Sequence, residues 1–151
     1  MTDTELLRAQ GLRVTAPRLA VLTVVGRSPH ATADDVLGAV RGELPQVSVQ
    51  GVYDVLHALT DAGLLRRIEP AGHPARYERR TDDNHHHVVC RECGALDDVD
   101  CAVGHAPCLT PSTTSGFAVD VAEVTYWGLC PSCRSSAPEP EPHPASRATT
   151  V

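Results

Sequence analysis

Apolar residues recur with a helical period through the first part of the chain and in short extended runs thereafter. Residues 2–10 predict a short polar helix stopped near Gly11. Thr15-Ala16-Pro17-Arg18 opens a second helix, with Thr15 placed to cap it and Pro17 just inside the start, where its missing N–H had no partner. Leu19, Leu22, Thr23 and Gly26 follow at helical spacing, and Ser28-Pro29 closes it. Thr32 followed by Asp34 and Asp35 starts a third helix with Val36, Leu37 and Val40 as its buried stripe. Ser48 caps a fourth that ends before Gly63. Its Val52, Val55, Leu56 and Leu59 share one face, which leaves Ser48, Gln50, Tyr53, Asp54 and His57 on the other. Residues 64–69 and 75–79 predict two strands joined by Pro70-Ala71-Gly72-His73-Pro74. Helices followed by such a hairpin describe a winged helix-turn-helix, whose last helix enters the major groove of DNA.

The second half changes character. Val88-Val89 and the run from Leu96 to Val99 predict short strands around Cys90 and Cys93. Phe117, Val119 and Val121 alternate with small or polar residues and lead through Val124, Tyr126 and Trp127 to Cys130 and Cys133. Between them, Pro107, Pro111 and Gly116 limit any helix to a short one. From Ser135 onward the Pro- and Glu-rich composition cannot bury a core and predicts a disordered tail over 135–151. The expected class is α+β, with a winged helix over 1–79 and a second unit over 80–134.

Charge sharpens this division. The formal net charge is -6, which argues against a nucleic-acid partner until its distribution is counted. Residues 1–79 carry nine Arg and nine acids, whereas residues 80–151 carry four Arg and ten acids, and the chain has no Lys. Arg donates two parallel hydrogen bonds to phosphate or guanine, so the first half suits DNA and the acidic second half suits cations. With only five aromatic residues, the core is built mainly from Val, Leu and Ala, and a bound metal is a natural staple for it. No charged-then-apolar leader and no run near the roughly 20 apolar residues of a membrane span is evident, so a cytoplasmic location is expected.

Two groups of residues carry metal chemistry. Cys90-x-x-Cys93 and Cys130-x-x-Cys133 can supply four thiolates, the set of a closed structural zinc site; the competing reading is buried or disulfide-paired cysteines. His85, His86 and His87 run into the first pair, and in an extended segment His85 and His87 share a face while His86 takes the other. Glu78 and Asp98 are near enough in sequence to add oxygen donors, and imidazole mixed with carboxylate suits Fe(II), Mn(II) or Zn(II). Cys101 and Cys108 lie outside the four and read either as small buried residues or as a thiol switch. A zinc hydrolase and a metal-storage or chaperone protein are rivals. The first lacks a His-Glu-x-x-His, and the second leaves the winged helix without a purpose, so an enzyme is not expected.

The order of winged helix, His-x-His, Cys-x-x-Cys and distal Cys-x-x-Cys resembles the ferric uptake regulator (Fur) family of metal-dependent repressors over about residues 5–134. Gly11 to Arg18, His30 to Asp35, Val52-Tyr53 with Leu56, Ala62-Gly63-Leu64 and the His/Cys cluster carry the resemblance. It implies a homodimer with an N-terminal domain on a double-stranded DNA operator and a small C-terminal α/β dimerisation domain stapled by zinc. It also implies a regulatory Fe(II) or Mn(II) site at His30, Glu78, His85, His87 and Asp98, and DNA contacts from Arg13, Arg18, Ser48, Gln50 and Tyr53. Asp98 stands where the peroxide-sensing branch carries Asp and the iron-uptake branch usually Glu. The resemblance therefore implies a peroxide-responsive repressor of genes such as catalase and its own, with an iron- or zinc-uptake regulator or a thiol-switch regulator as alternatives. Gly51 and Asp54 depart from the family's recognition helix. A further family metal site, just before the last strand, is absent here or rebuilt with His86 and His105.

Overall fold

The computed structural model describes residues 1–136. Apart from Ser135 and Ser136, the tail expected over 135–151 lies outside the described residues. Four helices open the chain: α1 (Asp3–Ala9), α2 (Ala16–Arg27), then, after the two-residue strand β1 (Ala31–Thr32), α3 (Ala33–Glu43) and α4 (Val49–Asp61). Strands β2 (Arg66–Ile68) and β3 (Arg76–Glu78) follow, and β1 joins them in a three-stranded antiparallel sheet of order β1-β3-β2. The hairpin was legible in the sequence; the third strand was not, because two residues are too few to show a period.

Local chemistry accounts for the helix starts. Thr2 and Thr32 accept from the amides of Glu5 and Asp35, whose carboxylates return bonds to the capping residues, and Ser48 Oγ accepts from Gly51 N at 2.9 Å. Thr15 stands at the start of α2 but its hydroxyl makes no capping bond, so Pro17 and the packing of the helix define that start instead. Of the α2 residues at helical spacing, Leu22 is buried and Leu19 packs against the core while Gly26 is exposed, and Ala20, Val21 and Val25 widen the buried face. The helix packs against α3, α4 and β3 together, which requires a broader apolar face than a single stripe. Val36, Val40, Val52, Leu56 and Leu59 complete the core as expected, with Leu37 and Val55 at its margin. Truncating Leu56 to Ala would cost about 2–5 kcal/mol.

The second sheet has order β5-β4-β6, from β4 (His85–Cys90), β5 (Leu96–Asp100) and β6 (Thr125–Gly128). β4 is the central strand, antiparallel to β5 with His87 opposite Asp98, and parallel to β6 with His87 opposite Thr125. The short helix α5 (Pro131–Arg134) follows. Phe117, Val119 and Val121 form no strand; they are 75%, 41% and 53% exposed. Alternation alone cannot make a strand where no neighbour offers a ladder. Among the described residues no helix is long and apolar enough to cross a membrane.

Candidate metal centres

The first centre lies where the two sheets meet. His30 precedes β1, Glu78 ends β3, His85 and His87 sit on β4, and Asp98 faces His87 from β5. His30 adopts a left-handed backbone with φ of 65°, unusual for a residue other than glycine. Its amide donates to Tyr77 O at 2.9 Å, and Arg76 Nη1 donates to its carbonyl at 3.2 Å, which holds the strained turn and aims the ring inward.

The donor atoms converge. His30 Nε2 is 3.1 Å from Glu78 Oε2 and 2.8 Å from Asp98 Oδ1, and His87 Nε2 is 3.3 Å and 3.5 Å from the same two atoms. These four residues offer ligand atoms that all lie within 4.8 Å of one another. His85 Nε2 stands beside them, 2.9 Å from Glu78 Oε1 and 3.6 Å from Asp98 Oδ1. Although that 2.9 Å separation is an ion-pair distance, His85 Nε2 and Glu78 Oε1 are both buried without a hydrogen-bond partner, so the contact is not aligned for one. A buried imidazole nitrogen and a buried carboxylate oxygen without hydrogen bonds would both be satisfied by a bound cation, and three imidazoles with two carboxylates fit a divalent transition metal.

Residues around the ligands orient them, and these were not singled out from sequence. Asp83 Oδ1 is 2.8 Å and Arg66 Nη1 3.2 Å from His85 Nδ1, so an acid and a guanidinium together hold the ring in place. Arg66 Nη1 lies 3.7 Å from Glu78 Oε1. Arg80 Nη1 donates to Asp98 Oδ2 at 3.2 Å, and the same guanidinium holds Asp83 and Asp100. Asp83 could have been found from the alternation that puts it on the face of His85; Arg66 and Arg80 had no local signal. Burial pushes the Glu78 carboxyl up, but hydrogen bonds from His30 and His87 and the charge of His85 outweigh it and hold the group at about 2. Burial opposes a charged His30, yet Glu78 and Asp98 raise it above the ordinary imidazole value.

The second centre is the cysteine quartet. Cys90 ends β4, Cys93 lies in the turn before β5, and Cys130 and Cys133 bracket the start of α5; their sulfurs lie within 4.8 Å of one another, with Cys93 and Cys130 3.6 Å apart. The first knuckle closes through Gly94 N to Cys90 O at 3.0 Å and Cys90 N to Ala95 O at 2.8 Å. Gly94 has φ of 73°, and a Cβ there would meet His73 Nδ1 at 2.7 Å, so glycine is required twice over. Arg76 Nη2 donates to Gly94 O at 3.0 Å, and the same side chain holds His30 O, so one arginine ties this knuckle to the first centre. The amides of Cys93 and Cys130 pull the Cys90 thiol down to about 6, while the Cys130 and Cys93 sulfurs push Cys133 up to about 12. Four crowded sulfurs that cannot all ionise alone fit a tetrahedral Zn(II), which neutralises them together.

The remaining predicted residues are also placed. Gln50 and Tyr53 are exposed on α4, where Gln50 Nε2 donates to Asp54 Oδ1 at 2.7 Å. Ser48 is occupied in capping, and a Cβ at Gly51, where the chain departs from the family, would press on its Oγ at 3.0 Å. Arg18 Nη1 donates to the Arg13 carbonyl at 2.7 Å, and the exposed Arg13 guanidinium has no protein acceptor among the described residues. Cys101 and Cys108 are half-buried free thiols beside His86, and His105 is exposed.

Known proteins resemble this chain in sequence and in fold. The profile of the ferric uptake regulator family matches residues 9–119. The transcriptional regulator FurA of Mycobacterium tuberculosis (strain ATCC 25618 / H37Rv) is 63% identical over 132 residues, covering 87% of this chain and 90% of that protein. The peroxide operon regulator of Bacillus subtilis (strain 168) is 30% identical over 138 residues, covering 85% and 89%. In fold, the Vibrio cholerae ferric uptake regulator matches with a TM-score of 0.63 at 23% identity, covering 85% of this chain and 99% of that one. With the profile spanning most of the chain and these relatives covering nearly all of it, the chain belongs to the ferric uptake regulator family of metal-dependent transcriptional regulators.

Proposed function

We propose that this protein is a cytoplasmic, homodimeric repressor whose grip on double-stranded DNA depends on a divalent ion held by His30, Glu78, His85, His87 and Asp98. Residues 1–79 serve as the DNA-binding domain and residues 80–134 as the dimerisation domain, with zinc at Cys90, Cys93, Cys130 and Cys133. One observation carries the reading: His30 Nε2 reaches both Glu78 and Asp98, across 48 and 68 residues of chain, so a single ion there would tie the winged helix to the second sheet. Filling that site would favour one relative orientation of the two units, and a dimer would present its two recognition helices at the spacing of operator half-sites. The exposed face of α4 with Arg13 and Arg18 supports DNA contact. Exposed Phe117, Val119, Val121 and Tyr126, together with the open edge of β6, support pairing with a second copy.

The finer reading is a peroxide sensor acting on oxidative-stress genes such as catalase. Asp at position 98, as in the peroxide-sensing branch, supports it, as does similarity to a protein named for a peroxide operon. Fe(II) held there would supply the electrons that reduce peroxide, and the His85 and His87 rings beside it would be the candidates for oxidation. A second reading, iron-dependent control of iron uptake, is favoured by the name of the family and by the FurA relative at 63% identity. Anaerobic fluorescence anisotropy with the gene's own upstream DNA separates them. Binding that requires Fe(II) or Mn(II), and that peroxide abolishes only with Fe(II) and thiol reductant does not restore, supports the sensor. Metal-dependent binding that ignores peroxide supports the uptake regulator, restoration by reductant favours a thiol switch, and no DNA binding with any metal sinks all three.

A further inference from the structure

A third cluster lies outside both centres. β4 turns His86 to the face opposite His85 and His87, and the ring is only 4% exposed. The segment after β5 returns to that face and brings two sulfurs with it. Cys108 Sγ is 3.2 Å from His86 Nε2, and the ligand atoms of His86, Cys101 and Cys108 all lie within 4.8 Å of one another. Asn84 fixes the arrangement from the side: its Nδ2 donates to Cys101 Sγ at 3.3 Å and to His105 O at 3.2 Å.

We infer that His86, Cys101 and Cys108 form a third metal site, built for a thiophilic d10 ion, Zn(II) or Cu(I). The donor set separates it from the first centre. It holds two sulfurs, one imidazole and no carboxylate, and soft sulfur donors select zinc and cuprous ions over Fe(II) or Mn(II). Its dimensions suit one ion: ligands bound at roughly 2.0–2.3 Å lie about 3.6 Å apart around a tetrahedral centre, close to the Cys108–His86 separation. The Asn84 amide is the kind of outer partner that orients a metal-bound sulfur. A Cys101–Cys108 disulfide would use both sulfurs and leave the buried His86, 3.2 Å from Cys108 Sγ, outside the link. Metal ligation engages all three groups. The site also needs nothing from the winged-helix half, so it stands whether or not the proposed repressor function does. Its occupation would pin the loop from Cys101 to Cys108 onto the back of the strand whose front carries His85 and His87.

The test uses the full chain with zinc already in the cysteine quartet, reduced and under argon, titrated with Co(II) and in a second arm with Cu(I) against a competing chelator. The protein should take up one equivalent of Co(II) showing sulfur-to-metal charge-transfer absorption. That absorption should vanish in Cys101→Ser and in Cys108→Ser, weaken at least tenfold in apparent affinity in His86→Gln, and persist in His87→Ala, while tightly held zinc stays constant in all four. Far-UV circular dichroism of each variant excludes loss of fold as the cause. Cu(I) uptake that needs both cysteines marks copper as the occupant, and Zn(II) uptake by the same residues without it marks zinc. Charge transfer that survives in both serine variants would place the cobalt among the other four sulfurs and overturn the assignment. So would its absence from the unaltered protein, or formation of a Cys101–Cys108 disulfide in place of metal uptake.

Discussion

His85 Nε2 lies 2.9 Å from Glu78 Oε1, and neither atom, though buried, makes a hydrogen bond. A buried imidazole nitrogen and a buried carboxylate oxygen left without partners are costly, and one ion bound by both would satisfy them. Glu78→Gln keeps the shape and removes the charge. It should lower Mn(II) affinity by more than the roughly 10–100-fold that loss of an outer partner of a ligand costs. Competition titration against a metal-sensitive dye reads the change, and an unaltered affinity would take Glu78 out of the site.

Arg80 is predicted to act through Asp98. Asp98 divides its oxygens, Oδ1 toward His30 at 2.8 Å and Oδ2 toward Arg80 Nη1 at 3.2 Å. Arg80→Ala frees the carboxylate to turn and also releases Asp83, which orients His85. Metal affinity should fall by about 10–100-fold with tightly bound zinc unchanged. Arg80→Lys should recover part of it, because a point charge reaches one acidic partner where the guanidinium fork holds three.

Asp54 is an exposed acid on the polar face of α4, and Gln50 is turned toward it at 2.7 Å. Removing the carboxylate by Asp54→Ala relieves repulsion of phosphate worth about 1 kcal/mol at contact distance in water, which is about fivefold in affinity. Arg13→Ala should do the reverse, weakening binding alike on all sequences and reducing the salt slope by about one. Anisotropy at two salt concentrations tests both. If Asp54→Ala weakens binding, the acid serves to aim Gln50 at a base and the repulsion argument is wrong.

The parts of this protein that announce themselves in sequence do so through period or spacing. Val52, Leu56 and Leu59 name the buried face of α4, Thr32 with Asp35 names a helix start, and two Cys-x-x-Cys pairs name a four-sulfur cluster before any fold is known. His85 and His87 could be assigned to one face of a strand by alternation alone. What sequence hid was tertiary. Arg76 bridging His30 O and Gly94 O, the meeting of Cys108 with His86 across 22 residues, and the broad buried face of α2 all depend on which elements pack together. Phe117, Val119 and Val121 mislead in the opposite direction, because a two-residue period describes a strand only when another strand is there to receive it.

Opposite pH trends should separate the metal-free and metal-loaded protein. His30 is raised above 6.5, so it contributes stability that is complete below 6.5 and is lost as pH rises through its folded-state value. Glu78 is lowered to about 2 from 4.5, so its contribution is present above 4.5 and is lost only as pH falls toward 2. The metal-free chain should therefore melt highest between 4.5 and 6.5 and soften above that. Metal ligation needs neutral imidazole, so Mn(II) affinity should climb over the same rise in pH. Thermal melts with and without Mn(II) from about pH 6 to about pH 8 should diverge. Parallel curves would mean that His30 releases no proton to the metal.

Loss of one sulfur from the quartet should be felt across the whole second sheet. Cys90 ends the central strand β4, and Arg91 N donates to Gly128 O at 2.9 Å, so the knuckle also anchors the end of β6. α5 is a single turn whose capping residue, Cys130, accepts from Cys133 N through its sulfur, and nothing in α5 is buried. A turn with no core of its own depends on the metal for its place. Cys93→Ser should cost one equivalent of tightly bound zinc, lower the melting temperature and shift the protein toward monomer in analytical ultracentrifugation. His87→Ala, made beside it, should keep that zinc and that oligomeric state while losing the Mn(II) response. If Cys93→Ser retains both zinc and assembly, the four sulfurs do not staple the fold.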